Sequence, residues 1–240
     1  MLRSRFAWIS LVVAALGAGP ASAQPVTVGF DFGNFTTVSF GTTAGAPGYA
    51  QTFWNSDTGN GVSNLNGQQD SNGNGLFSPT TAISYNASGG VGNLNTIPST
   101  TTDPNQRQMR GFLDSGASGT TITVTGIHFA LYNLLIYTDG NNGSATTTGQ
   151  FTANGITVTS TDPANTDYTS TYVLGQNYVV IPNLNGDLTL TATGGAGFSS
   201  PINAIQLVNA VPEPSSLAFL GAAAVGFVLH FRRAIRRRGH

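Results

Sequence analysis

The sequence predicts an all-β fold, an antiparallel β-sandwich of the jelly-roll kind, and three observations predict it. Apolar and hydroxyl residues alternate with a period of two in several segments, Asn-Gly pairs fall between those segments, and no window between the two termini has a helical period. In the first segment Val26, Val28, Phe30 and Phe32 alternate with Thr27, Gly29 and Asp31. Ile122 and Val124 alternate with threonines, as do Ile156 and Val158, and Leu188 and Leu190. This spacing puts apolar groups on one face of a strand and hydroxyls on the other. Leu131 to Tyr137 and Tyr178 to Ile181 are more continuously apolar and suit central strands. Asn154-Gly155, between Phe151-Thr152 and Ile156 to Thr159, is the clearest hairpin, because both residues tolerate the positive φ that a tight turn needs. Two polar stretches, residues 58–75 and 86–106, read as long loops, which are either functional or disordered.

Both ends stand apart from this pattern. Arg3 and Arg5 precede an apolar run from Phe6 to Ala18, and Ala21-Ser22-Ala23 supplies an A-x-A cleavage site. Residues 1–23 therefore read as a signal peptide, cut after Ala23. At the other end Val211-Pro212-Glu213-Pro214 leads into an apolar run from Leu217 to Phe231, followed by Arg232, Arg233, Arg236, Arg237 and Arg238. The prolines exclude helix before the run begins. Fifteen helical residues reach roughly 22 Å, short of the ~30 Å hydrocarbon core. A span over about 215–232 is expected, with the first arginines snorkelling to the headgroups and the basic cluster holding that end in the cytoplasm.

The triplet Pro212-Glu213-Pro214, the apolar run and the arginine cluster together resemble the PEP-CTERM sorting signal of Gram-negative bacteria. The resemblance covers about an eighth of the chain, residues 211–240. It implies recognition by an exosortase, which removes the tail near the motif after signal peptidase has acted. It also implies passage through the inner membrane to the cell surface or extracellular space, often in company with exopolysaccharide.

The segment between, residues 24–210, suits one domain by length. It has no cysteine and no lysine; nine aspartates against Arg107 and Arg110 leave a net charge of about −7. Such a surface has almost nothing with which to neutralise phosphates, so nucleic acid is excluded as a partner. Its second half, through Thr121 to Gly126, Tyr132 to Tyr137, Asn177 to Val180 and Ile202 to Leu207, is similar to the last strands of galactose-binding-like jelly rolls, a group that includes carbohydrate-binding modules. That likeness implies a sandwich whose end loops hold a sugar, but it places no ligand residue here.

Chemistry-bearing residues are few. The domain has one histidine, His128, and no glutamate; no Gly-x-Ser-x-Gly elbow presents a serine. No catalytic residue, cofactor or metal site is expected. Asp70-Ser71-Asn72-Gly73-Asn74-Gly75 matches the opening of an EF-hand calcium loop, but the twelfth position is Thr81 and not Glu, so an Asn-Gly turn is the better reading. Most aspartates sit where turns need them. Trp54, with Tyr49 nearby, is the candidate sugar-stacking platform, and a core residue at a strand end is the ordinary alternative. The sequence thus predicts a non-catalytic surface or matrix protein with weak polysaccharide binding. The rival readings are a secreted polysaccharide-acting enzyme using aspartates and a purely structural matrix component.

Overall fold

Two five-stranded sheets make the fold, and their inward faces are the alternating apolar positions of the sequence. The computed structural model describes residues 25–32, 42–56, 70–72, 82–168, 170–194 and 199–210. The signal peptide with Ala21 and Ala23, the sorting motif 211–214, the expected span at about 215–232 and the arginine cluster lie outside them. No helix among the described residues is long and apolar enough to cross a membrane. Pro25–Val211 forms one compact unit.

The first sheet has the order β10-β7-β12-β1-β2, from β1 (Thr27–Asp31), β2 (Trp54–Ser56), β7 (Tyr132–Tyr137), β10 (Tyr178–Leu184) and β12 (Ala204–Asn209). The second has the order β3-β6-β11-β8-β9, from β3 (Ala82–Ala87), β6 (Thr120–Thr125), β8 (Thr147–Ala153), β9 (Ile156–Asp162) and β11 (Leu188–Ala192). Between them in sequence, β4 (Gly90–Asn93) and β5 (Gly111–Asp114) form a small separate ladder. All pairings are antiparallel except β1 with β2, so the first sheet is mixed. Val28 and Phe30 of β1, Leu134 and Ile136 of β7, Ile122 and Val124 of β6, and Leu188 and Leu190 of β11 meet in one core, each at most 1% exposed.

Several expectations are corrected. The stretch 86–106 is not one long loop: it holds β4 and opens a helix, α1 (Pro104–Arg110). Asp103 caps α1, its Oδ1 accepting from the backbone N–H of Asn105 at 2.9 Å, and Pro104 starts the first turn, where a missing N–H costs nothing. A helix of seven residues is too short to show a period of its own. Tyr178 to Ile181 is an edge strand, not a central one. It is apolar because its outer face is covered as well: Tyr172 packs on Tyr178, and Gly175 N–H donates to the Tyr178 carbonyl at 2.8 Å. In β9, Ile156 is 44% exposed, since this strand is the sheet's edge. Asn154 and Gly155 do form the β8–β9 turn, with φ of 47° and 86°.

Candidate functional site

The aromatic residues singled out by the sequence come together on the outer face of the first sheet, but not as a platform. Side chains of β7 alternate, so Leu134 and Ile136 enter the main core while Leu135 and Tyr137 point the other way into a second cluster. Trp54 joins that cluster at 5% exposure, its ring edge-on to Tyr137 at 5.8 Å and its Nε1 donating to the Ala44 carbonyl at 3.1 Å. It lies directly on Gly29 of β1, where an added Cβ would strike the indole. The ring therefore has no free face for a sugar. Tyr49 is half-buried against the same cluster. A buried polar chain pins its loop to the sheet. Tyr137 Oη donates to Gln206 Oε1 at 2.8 Å, Gln206 Nε2 donates to the Tyr49 carbonyl at 2.6 Å and to Gln51 Oε1 at 2.9 Å, and Thr27 Oγ1 also donates to Gln51 Oε1, at 2.7 Å. These contacts are structural: they satisfy groups that would be costly to bury unpaired.

The polar face of the second sheet is different. Its outward positions form a grid, because strand register aligns them. Asn86, Thr121, Thr191, Thr152 and Thr157 stand opposite one another on the five strands in order. Ser84, Thr123 and Thr189 form a parallel row on one side of it, and Gln150 pairs with Thr159. The Gln150–Thr159 pair lies on the far side of the first row from Thr189, level with Thr193. Thr121, Thr191, Thr157 and Thr159 are exposed, while Thr152 is half-buried with its Oγ1 2.8 Å from that of Thr157. None of these outward positions carries a charge. Rows repeat about every 4.8 Å across the strands and roughly 6.8 Å along them, and each hydroxyl can both donate and accept. The alternation of the sequence foretold hydroxyls on one face. Their alignment into rows depends on register between distant strands, which no single segment carries.

The remaining chemical candidates scatter. His128 is exposed in the β6–β7 connection. Asp70 Oδ1 accepts from the Asn72 N–H at 2.9 Å, as in an Asx turn, and residues 73–81, with the rest of the expected Asn-Gly turn, lie outside the described residues. Three aspartates lie within electrostatic reach of one another: Asp139 after β7, Asp162 at the end of β9 and Asp167 after it. Burial, then the neighbouring charges of Asp162 and Asp167, push the Asp139 carboxyl up to about 8. Burial, then Asp167, pushes Asp162 up to about 6. Read singly, these are turn residues, and their convergence was missed; the signal was Asp139-Gly140 and Asp162-Pro163, each where a strand ends.

A two-sheet β domain with an uncharged hydroxyl face is thus joined to a tail of separate character. Residues 210–233 match the PEP-CTERM protein-sorting motif, which marks an exported protein sorted to the cell surface by an exosortase. Among solved structures the chain is similar to a family 35 carbohydrate binding module from Clostridium thermocellum, at 23% identity over 37% of this chain and 69% of that one, with a TM-score of 0.26. It is also similar to an exo-β-1,3-galactanase from Phanerochaete chrysosporium, at 17% identity over 41% of this chain, with a TM-score of 0.27. The matched part spans 23% of the galactanase. No curated protein matches the chain.

Proposed function

We propose that this chain is a non-catalytic surface or matrix protein whose jelly-roll domain holds neutral polysaccharide weakly through the hydroxyl face of its second sheet. In this reading the signal peptide 1–23 directs export, the apolar segment at about 215–232 anchors the chain in the inner membrane, and exosortase then releases or transfers it. The sorting motif supports the destination. The observation that carries the binding reading is the row Asn86, Thr121, Thr191, Thr152 and Thr157, with no charge among its neighbours. A polysaccharide chain offers hydroxyls and ring oxygens at regular intervals, and a register-locked grid meets them without ordering any loop. Shallow contact of this kind gives weak affinity per site, and dense display on a surface raises avidity.

The test is retention in affinity electrophoresis through neutral polysaccharides. The combined change Thr121→Val, Thr191→Val, Thr152→Val and Thr157→Val removes hydroxyls but keeps the β-branched shape that suits strands. Retention is expected to fall while the melting temperature stays within a few degrees of wild type. No retention of the wild-type protein by any glycan would leave the scaffold role in its place. Release of reducing ends, lost on mutation of an aspartate pair, would establish the enzyme reading instead.

A further inference from the structure

Two loops that follow β7 and β9 are hydrogen-bonded to each other, and three of their buried side-chain oxygens have no donor. Asn142 Nδ2 donates to the carbonyls of Asp162 and Pro163 at 3.2 and 3.0 Å, and Asn165 N–H donates to the Gly143 carbonyl at 2.7 Å. Asp139 is fixed from behind: its N–H donates to Asn203 Oδ1 at 2.6 Å, and Asn203 Nδ2 in turn donates to the carbonyls of Met109 and Gly111. The Asp139 carboxyl accepts from the backbone of Tyr168 and Gly140, yet its Oδ1 has no hydrogen-bond partner, although the residue is only 2% exposed. Asn142 Oδ1 and Asp167 Oδ1 are buried and without a partner in the same way. The charges that reach Asp139 are those of Asp162 and Asp167, both of its own sign.

Buried acceptors without donors are costly, and gathered carboxylates repel. A hard cation removes both penalties at once, since calcium takes six to eight oxygens from carboxylates, amide oxygens and backbone carbonyls in flexible geometry. We propose that these paired loops bind a divalent cation of the calcium type, with Asp139, Asn142 and Asp167 as side-chain oxygen ligands. No three acidic or histidine side chains among the described residues gather closely enough to hold an ion by themselves. The donor set is therefore mixed, with the Asn142 amide and loop carbonyls completing it. The ion would clasp the loop after β7 to the loop after β9. This site is distinct from the Asp70 turn, where the sequence offered its only calcium-like motif.

The test uses the full chain in detergent, stripped with a chelator and then titrated with calcium or terbium. Calcium is expected to raise the melting temperature by about 5 °C or more near saturation. Tyrosine-excited terbium emission should rise and be displaced by calcium, since Tyr168 adjoins the site. Asp139→Asn with Asp167→Asn should weaken calcium binding at least tenfold. The same pair in chelator should melt no lower than wild type, because the buried repulsion has been removed; a purely structural role for these carboxylates would lower it in both conditions. Absence of any calcium shift and terbium signal in the wild type overturns the site. A full response that survives the double change also overturns it and moves the ion elsewhere, to the Asp70 turn among other places.

Discussion

Trp54 shows how a single residue can carry two readings until its neighbours are known. An indole beside a tyrosine and a polar loop is what a sugar platform looks like in sequence. Here the residue that decides is Gly29, which has no Cβ and lets the ring rest against β1. Trp54→Ala is therefore expected to cost about 3–5 kcal/mol, the range for emptying a large aromatic from a core, and to leave the Ala44 carbonyl with only the Gln51 N–H, at 2.9 Å. Urea denaturation checks this: the midpoint should fall with little change in slope. Loss of glycan retention with an unchanged midpoint would restore the platform. Neither Gly29 nor Ala44 is near Trp54 in a way that the sequence displays, since the contact depends on the parallel pairing of β1 with β2.

At the scale of elements, the alternating strands were legible because each segment carries its own period: β1, β6, β7 and β11 fall where Val28, Ile122, Leu134 and Leu188 placed them. The short helix was not, although Asp103-Pro104 is a cap followed by a first-turn proline and was available as a signal. The second aromatic cluster was equally hidden, because it is assembled from β7, β10 and the segment around Tyr168 and Tyr172. That assembly has a consequence in alkali. Burial, first among causes, raises Tyr137, Tyr168 and Tyr172 above their ordinary value near 10 and pushes Tyr132 up to about 12. Folded values above unfolded ones mean that the stabilisation is complete below pH 10 and is lost as pH rises from there through the folded values. Phenolate absorbance should therefore show a group of tyrosines that titrates only together with loss of the β spectrum. Smooth titration of every tyrosine near pH 10 in a folded protein would contradict the packing.

Across the whole molecule, the first sheet depends on its last strand. β12 lies between β7 and β1 and pairs with both along its length. A chain ending before Ala204 would leave β1 and β7 without their shared neighbour and expose Val28, Phe30, Leu134 and Ile136. Such a truncation is expected to abolish cooperative unfolding, as read by calorimetry, and not merely to lower the melting temperature. A sharp transition in the truncated chain would show that the second sheet folds alone. The acidic balance of the domain works at this scale too: a net charge of about −7 disperses the molecules among like-charged neighbours outside a cell, whichever face they present.

The central position of β12 also sets a clock. A secreted chain crosses its membrane from the amino end, so β1 arrives first and β12 last. Thr27 must wait for Val208, nearly the whole domain later, before its ladder can close. Long-range pairing of this sort is slow to nucleate, so the first sheet cannot close until almost the whole domain is present. The sorting motif begins at residue 210, directly after β12 ends at Asn209. On the reading proposed above, closure of the sandwich and arrival of the sorting signal are nearly simultaneous, so the domain is complete when its tail is due to be recognised.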